Sequence, residues 1–251
     1  MKLGAILNVL DEPGNPKAIM TRAKELSRCG FEGLWTAQAI GRGFMVHDPL
    51  MTLATAAAVT DDILLGTAVL QVPLYHPLDL AHRVLCLKQM AGERLILGIG
   101  AGSTEVDFNT YDRDYSNRFK DFYRIVDELR QVFETGKLGD KDLSPWPHVA
   151  GGQALYLGSW GKGVMRAARE FDGWIASGMY RSTDEIEAAL RAYKQAGGGT
   201  SVVSTIPVHA KTDLGELKMR LTRFADAGFD HAVIVQMGDG PPAETIRRLL
   251  P

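Results

Sequence analysis

The segment at residues 158–163, GSWGKG, has the composition of a site that could hold an anion. It follows an apolar run and leads into a predicted helix, and the N–H groups and dipole at a helix start attract negative charge. The Ser159 hydroxyl and the Lys162 ammonium could add to such a site. A plain glycine-rich turn has the same composition. Both interpretations remain open for Gly158, Ser159, Trp160, Gly161, Lys162 and Gly163.

A second glycine-rich segment, GIGAGS at residues 98–103, ends another apolar run. Glycines at this point could let a flat ring approach the backbone. The spacing is not the G-x-G-x-x-G fingerprint of a dinucleotide-binding fold, so it indicates no particular nucleotide. The candidate binding residues here are Gly100, Ala101, Gly102 and Ser103.

Eight short apolar runs predict the strands that would position both segments. Amphipathic patterns with helix start and stop residues separate them. Nearly continuous apolar runs are typical of a parallel sheet that is covered on both faces. The predicted strands are residues 2–7, 33–37, 63–70, 95–100, 154–158, 173–177, 203–209 and 231–236.

Local capping residues mark the ends of the intervening helices. Proline suits the first helical position, glycine suits the end, and an acid three residues after a Ser or Asp has capping-box spacing. In chain order the signals are Pro16, Gly30, Asp48-Pro49, His76-Pro77, Ser182 with Glu185, Asp213 with Glu216, and Pro241-Pro242.

Eight strand-then-helix units without a break in composition predict one α/β domain over residues 1–251, a closed (β/α)8 TIM barrel with short loops and few insertions. Length and alternation also fit an open, doubly wound sheet. In a barrel, the chemistry lies at the carboxyl ends of the strands. Residues at those ends, besides the two glycine-rich segments, are Asn8, Gln38, Gln71, Ser177, Met179, His209 and Met237.

These strand ends carry little charge, which argues against several enzyme classes. A barrel metallohydrolase needs several His, Asp or Glu ligands, so no metal site is predicted. A Schiff-base enzyme needs an inward lysine, and neither Lys2 nor Lys211 is well placed. The chain has no G-x-S-x-G or C-x-x-C motif. Amides, glycines and small residues suit a protein that positions a molecule carrying its own reactivity, such as a flavin.

Composition and charge limit the kinds of molecule that the protein is expected to bind. A formal net charge of −2 with interspersed signs gives no basic face for nucleic acid, so a small, mostly uncharged molecule is expected. No apolar run approaches the roughly 20 residues of a membrane span, and the N-terminus makes a poor signal peptide. Cys29 and Cys86 lie in helical patterns and are predicted to be free thiols. We therefore expect a cytoplasmic protein.

Several segments occur in the order found in the bacterial luciferase-like superfamily of flavin and deazaflavin oxidoreductases, which the chain resembles over nearly its whole length. The segments are GFEGLWTA (30–37), DPL (48–50), LGTAVL (65–70), HP (76–77), GERLILGIGAG (92–102), LYLGS (155–159) and FDGWIA (171–176).

The resemblance implies a TIM barrel that binds coenzyme F420, a deazaflavin, or FMN in its mouth, and a homodimer. It implies that residues 158–163 hold the cofactor phosphate and that Ala68–Val69 is a non-prolyl cis peptide beside the ring. The implied function is F420-dependent hydride transfer with a small organic substrate, which we favour, or FMN-dependent monooxygenation. Further expected cofactor contacts are Asn8, Gln71 and residues 100–103, with Trp160 as a stacking candidate.

The chain departs from the family where acid–base groups are expected. Many deazaflavin members have Asp-His or Glu-His after the second strand, whereas Gln38 stands here, and an amide is not an ordinary acid. Ser103 stands where some relatives place a glutamate. We take Gln38 and His209 as the catalytic candidates. Because the loop after the seventh strand is short, residues 39–47 and 104–115 would have to cover the mouth.

Two other functions stay open on the sequence. A non-catalytic flavin-binding protein of this fold would explain the short loops and the missing acid–base pair. A cofactor-free phosphosugar barrel would keep the phosphate loop but lacks a catalytic lysine or carboxylate.

Overall fold

The computed structural model describes residues 1–8 and 15–250 and contains a closed parallel barrel. Each predicted strand is present within a few residues of its expected bounds. The barrel strands are β1 (Lys2–Ile6), β2 (Gly33–Thr36), β3 (Leu64–Thr67), β5 (Leu95–Gly100), β8 (Leu155–Gly158), β9 (Gly173–Ser177), β10 (Thr200–Val208) and β11 (His231–Gln236). The remaining short strands are β4 (Leu70–Gln71) and the hairpin of β6 (Lys137–Leu138) and β7 (Lys141–Asp142).

Strand pairing closes the ring and excludes the open-sheet alternative. β1 pairs in parallel with β2 on one side and with β11 on the other. β2 pairs with β3, β3 with β5, β5 with β8, β8 with β9, and β10 with β9 and β11, so each of these eight strands has a partner on both sides. The prediction of a (β/α)8 barrel is confirmed.

The third predicted strand is interrupted. β3 ends at Thr67, the Ala68–Val69 bond is cis as expected, and β4 resumes beside β5. In this pairing Gln71 lies opposite Gly100, so both residues stand at the carboxyl end of the barrel.

Helices surround the sheet. They are α1 (Ala18–Arg28), α2 (Pro49–Ala57), α3 (Pro77–Ala91), α4 (Glu105–Asn109), α5 (Arg118–Thr135), α6 (Lys162–Glu170), α7 (Thr183–Gln195), α8 (Leu214–Ala227) and α9 (Ala243–Arg247). No helix in the described ranges has the length and apolar character needed to cross a membrane. Cys29 and Cys86 are free thiols, as predicted.

The predicted caps are present at most helix ends. Asp48 accepts a hydrogen bond from the Met51 N–H, and Asp213 accepts from Gly215 and Glu216. The His76 ring also caps its helix, through Nδ1 and the Leu78 N–H. Such local signals are readable in the sequence because both partners lie within one helical turn.

The reciprocal capping box of α7 carries a stability prediction. Ser182 Oγ accepts a hydrogen bond from the Glu185 N–H, and the Glu185 carboxylate accepts one from the Ser182 N–H. We expect Ser182→Ala to lower the free energy of unfolding by about 1 kcal/mol, measured by urea denaturation. Ser27→Ala, at an exposed position inside α1, is the control and should change it little. Equal stability of both variants would contradict a stabilising role for this cap.

Two apolar cores hold the barrel. The larger lies between the sheet and the helices, and the smaller fills the barrel interior around the fully buried Trp35. A Cβ atom at Gly66 would lie 2.4 Å from the Trp35 ring, and one at Gly4 would lie 2.6 Å from it. The glycines therefore make room for the indole, and the barrel floor is packed rather than hollow.

Candidate functional site

The glycines at the ends of β5 and β8 face Val69, next to the cis bond. A Cβ atom at Gly158 would lie 2.7 Å from Val69 Cγ1, and one at Gly100 would lie 2.9 Å from Val69 Cγ2. At Gly100, where we expected a flat ring to approach the backbone, the Val69 side chain therefore takes the space at this depth. Ala68, Val69, Gly100 and Gly158 nevertheless meet at the mouth of the barrel, as the expected site requires.

The segment at residues 158–163 links β8 to α6 and contains a buried hydroxyl without a partner. Gly161, directly before α6, has φ +58°, a conformation that favours glycine. The Ser159 carbonyl accepts from Trp174 Nε1 at 3.1 Å, whereas Ser159 Oγ is buried with no hydrogen-bond partner in the described chain. Unpaired buried hydroxyls are uncommon in folded proteins. Their occurrence at a helix start favours an anion site over a plain turn.

The other side chains of this segment lie differently. Lys162 is exposed at the first position of α6, and Gly163 packs against the Ser159 Cβ. The Trp160 ring packs against the larger core, with its centroid 6.5 Å from that of the Trp174 ring and 4.8 Å from the Arg181 guanidinium. Its stacking on a ligand stays a prediction.

Gln38 and Gln71 form one hydrogen-bonded chain at the ends of β2 and β4. Gln38 Nε2 donates to the Tyr75 hydroxyl at 2.8 Å, and Gln38 Oε1 accepts from the Gln71 N–H at 2.7 Å. Burial, together with the charge of Asp48, raises the pKa of Tyr75, so this hydroxyl stays protonated. With both ends of its amide engaged, Gln38 is held in place as a hydrogen-bonding group.

The chain continues to a buried carboxylate on α4. Gln71 Nε2 donates to Asp107 Oδ2 at 2.6 Å. Arg42 donates to the same carboxylate twice, from Nε at 2.7 Å and from Nη2 at 2.5 Å, and the Ile40 N–H donates at 3.3 Å. Burial by itself would raise the pKa of Asp107, but the hydrogen bonds from Arg42 and Gln71 outweigh it and lower that pKa. Asp107 is therefore an ionised acceptor at neutral pH.

The Arg42–Asp107 pair joins the two segments that we expected to cover the mouth. Thr110 packs against Gly41, where a Cβ atom would lie 2.0 Å from Thr110 Oγ1. The pKa of Arg42 is raised mainly by its hydrogen bond to Asp107 and further by the nearby Tyr180 hydroxyl. Tyr180 follows β9, which stands opposite β2 in the ring. Residues 39–47 thus reach over the barrel mouth.

The remaining predicted site residues are anchored separately. Asn8 is fully buried and spans Ala37 and His47, donating to both carbonyls and accepting from the Ala37 N–H. The Ser103 carbonyl, after Ala101 and Gly102, accepts from the Tyr115 hydroxyl at 3.0 Å. His209 is exposed just after β10 and pairs with Thr212 inside one turn. The structure therefore brings Gln38 and Gln71 into one network and leaves His209 outside it.

A cavity of about 360 Å³ lies on the flank of the mouth. Its lining includes Gln38 and Tyr75 from the network, with Ile40, Met45, His76 and Tyr111 around them. Across residues 1–8 and 15–250, no three His, Cys, Asp or Glu side chains are grouped so that they could hold a metal ion.

Sequence reasoning missed Arg42, Tyr75 and Asp107. Asp107 lies four residues beyond Ser103, and its position between Val106 and Phe108 was the one usable signal. Arg42 carried no such signal, since its partner is 65 residues away.

Fold and site together define an α/β barrel whose mouth carries amide side chains and the Arg42–Asp107 ion pair, with a candidate anion site after its fifth barrel strand. The sequence profile of the luciferase-like monooxygenase family matches residues 5–248, and the chain belongs to that family.

Individual relatives agree with this assignment. The chain is 33% identical over 115 residues to 4-hydroxyprotoasukamycin monooxygenase of Streptomyces nodosus subsp. asukaensis, covering 43% of this chain but 31% of that protein. The match thus spans about a third of the relative's length.

Two solved structures share the fold. An F420-dependent secondary alcohol dehydrogenase, in complex with an F420–acetone adduct, has a TM-score of 0.75 at 14% identity and covers 100% of this chain and 98% of its own. A type II Baeyer–Villiger monooxygenase from the CAM plasmid of Pseudomonas putida, in complex with FMN, has a TM-score of 0.68 at 18% identity and covers 92% and 80%.

Proposed function

We propose that the protein is a flavin-type oxidoreductase that uses coenzyme F420 or FMN. With F420 it would transfer hydride to or from a small organic substrate, and with FMN it would act as a monooxygenase. The observation that carries this proposal is the unpaired, buried Ser159 hydroxyl at the start of α6, a fit for a cofactor phosphate. Membership of the luciferase-like family and the F420 and FMN complexes of its structural neighbours support the same choice.

The residues present fit such a cofactor at three places. Ser159 and the N–H groups near Gly161 would hold the phosphate, and Val69 would lie under the ring. Gln38 and Gln71 would orient ring and substrate by hydrogen bonds rather than by proton transfer. The bound cofactor would supply the redox chemistry. His209 remains the candidate proton donor.

The substrate side of the mouth is apolar and exposed. Phe44 and Met45 in the covering segment, Tyr111 after α4, and Tyr180 after β9 are all more than half exposed. Exposed apolar residues around a concave site favour an apolar ligand. We therefore propose a small, largely apolar organic substrate, in a cytoplasmic homodimer that binds no nucleic acid.

A titration tests the proposal. The purified protein is titrated with FMN and with F420 while fluorescence is followed, alongside the double variant Ser159→Ala, Gly161→Ala. We expect one coenzyme to bind at micromolar or tighter Kd and the double variant to weaken it at least about tenfold, through loss of a hydroxyl donor and distortion of the loop.

Gly139→Ala is the matched control for this titration. Gly139 has φ +60°, close to the +58° of Gly161, and both have open space where a Cβ would be, but Gly139 lies in the β6–β7 hairpin. It should leave both titrations unchanged. If neither coenzyme binds the wild-type chain, the oxidoreductase proposal fails and residues 158–163 are a turn.

One observation favours a second candidate, a non-catalytic flavin-binding protein. Gln38, an amide, stands at the end of β2 where an acid would face the site, and both ends of this amide are engaged by Tyr75 and Gln71. Single-turnover mixing of the loaded, reduced protein with oxygen and with a panel of small ketones separates the two. Binding with no change in oxidation rate relative to free cofactor would favour this second candidate.

A further inference from the structure

The Gln71 amide has only one chemically reasonable orientation. The group facing Asp107 must be the NH2, because an ionised carboxylate accepts and does not donate. Arg42 keeps Asp107 in that form with two hydrogen bonds, and the contact from Gln71 Nε2 is 2.6 Å. The other end of the amide, Oε1, is thereby directed away from Asp107.

Gln71 Oε1 lacks a donor. It is buried, and no group in residues 1–8 or 15–250 donates a hydrogen bond to it. Its neighbour is Gly102, where a Cβ atom would lie 2.6 Å from Oε1 and 2.7 Å from the Phe108 ring. A side chain at position 102 would therefore collide with this oxygen, and the glycine allows the amide to lie at the carboxyl end of β5. A buried acceptor without a donor is uncommon and calls for a ligand or water.

We propose that Gln71 Oε1 accepts a hydrogen bond from an N–H or O–H group of the bound cofactor, and that Asp107 and Arg42 are positioning residues that set the amide in this orientation. The inference rests on the proposed function and states which partner donates and which accepts in one of its hydrogen bonds. The ligand group must be a donor, such as the ring imide N–H or a side-chain hydroxyl.

The same carboxylate ties this contact to the segment over the mouth. Asp107 accepts from the Ile40 N–H and from Arg42, so residues 40–42 and the Gln71 amide share one anchor. Gln71 is only 4% exposed, so a ligand reaches Oε1 only after its covering residues move. A donor placed on Oε1 would then complete the hydrogen bonds of Gln71, while Asp107 keeps its three donors, Arg42, Gln71 and the Ile40 N–H.

The test is a ligand-by-residue comparison. Wild type, Gln71→Met, Asp107→Asn and the control Glu128→Gln are titrated with FMN, with N3-methyl-FMN, which lacks the imide donor, and with phosphopentyl-flavin, in which hydrogens replace the ribityl hydroxyls and the phosphate is kept. Methionine keeps the length of Gln71 without an acceptor. Glu128 pairs with Arg124 on the surface of α5 and should behave as wild type.

We expect Gln71→Met to raise the Kd for FMN about tenfold, the size of one buried hydrogen bond. Wild type should lose about as much with whichever analogue lacks the donor, and Gln71→Met should not discriminate against that analogue. N3-methyl-FMN identifies the imide as the donor, and phosphopentyl-flavin identifies a hydroxyl. Asp107→Asn, which lets the amide face either way, should reduce the discrimination to about threefold.

A merely structural role for Gln71 would weaken all three ligands equally, and that outcome overturns the inference. So does Gln71→Met binding FMN as wild type does. If wild type binds neither FMN nor F420, the proposed function has failed instead. If it binds only F420, the Kd for F420 should rise about tenfold in Gln71→Met and stay unchanged in Glu128→Gln; an unchanged value in Gln71→Met would overturn the inference.

Discussion

Asp107→Ala is expected to lower the free energy of unfolding by about 3 kcal/mol, because breaking a buried ion pair leaves its partner uncompensated. Asp107 has no exposed side-chain surface and accepts hydrogen bonds from Arg42, Gln71 and the Ile40 N–H. Arg42 is 29% exposed, so water can partly hydrate its guanidinium once Asp107 is removed. The expected loss of stability therefore lies at the lower end of the range for broken buried ion pairs. The variant should also release residues 39–47 from α4.

Urea denaturation gives the stability change, and amide hydrogen exchange of residues 39–47 gives the local one. Glu128→Ala is the control, because the Arg124–Glu128 pair lies on the helix surface and contributes about 0.5 kcal/mol or less. Adding Arg42→Ala completes a double-mutant cycle, in which we expect a coupling of about 2 kcal/mol. Loss of less than 1 kcal/mol in Asp107→Ala, with unchanged exchange, would show that the pair does not hold the covering segment.

The features that sequence predicted well are those whose causes lie close together in the chain. The capping box at Ser182 and Glu185 involves three residues' separation, and the positive φ of Gly30 follows from the end of a single helix. The eight apolar runs predicted the barrel because a parallel sheet covered on both faces needs them regardless of side-chain detail. The fold and the helix boundaries could therefore be predicted from the sequence.

The candidate site was harder to predict from the sequence, because its contacts join segments that are far apart in the chain. Arg42 and Asp107 are 65 residues apart, and Gln38 and Tyr75 are 37 apart, so neither pair leaves a periodic signal. Gln38 could be chosen as a strand-end amide, but its partners depend on the geometry of three loops. The sequence thus predicted which strand ends meet in the candidate site and not how their side chains pair.

The glycines at 100 and 158 show a second reason. A glycine at a strand end indicates that another group approaches the backbone closely, but the glycine does not identify that group. We expected a flat ring beside Gly100 and a phosphate beside Gly158, whereas the nearest group to both is the Val69 side chain, 2.7 to 2.9 Å from where their Cβ atoms would be. Only the path of the chain after β3 decides between these possibilities.

A pH-dependent loss of stability is expected from His231, at the start of β11 in the barrel floor. Its ring packs edge-on to Trp35 with centroids 5.9 Å apart and is 7% exposed. Burial, aided by the positive charge of Lys2, lowers the pKa of His231 to about 4. In the unfolded chain the same group has a pKa of about 6.5. Folding therefore keeps this imidazole neutral where the unfolded chain would protonate it.

Between those two pKa values the unfolded chain binds more protons than the folded one, so stability falls as the pH falls from about 6.5 toward about 4 and changes no further below that. The full difference corresponds to about 3 kcal/mol, of which about 2 kcal/mol is lost between pH 7 and pH 4.5.

His231→Phe keeps an aromatic ring against Trp35 and should remove this share of the pH dependence. Urea denaturation at both pH values measures it as a difference from wild type, since other titrating groups are common to both chains. His82→Gln, on the exposed face of α3, is the control and should retain the wild-type slope. A slope in His231→Phe equal to that of wild type would mean that His231 is hydrated and protonated in the folded barrel, and that the floor beneath Trp35 is open to water.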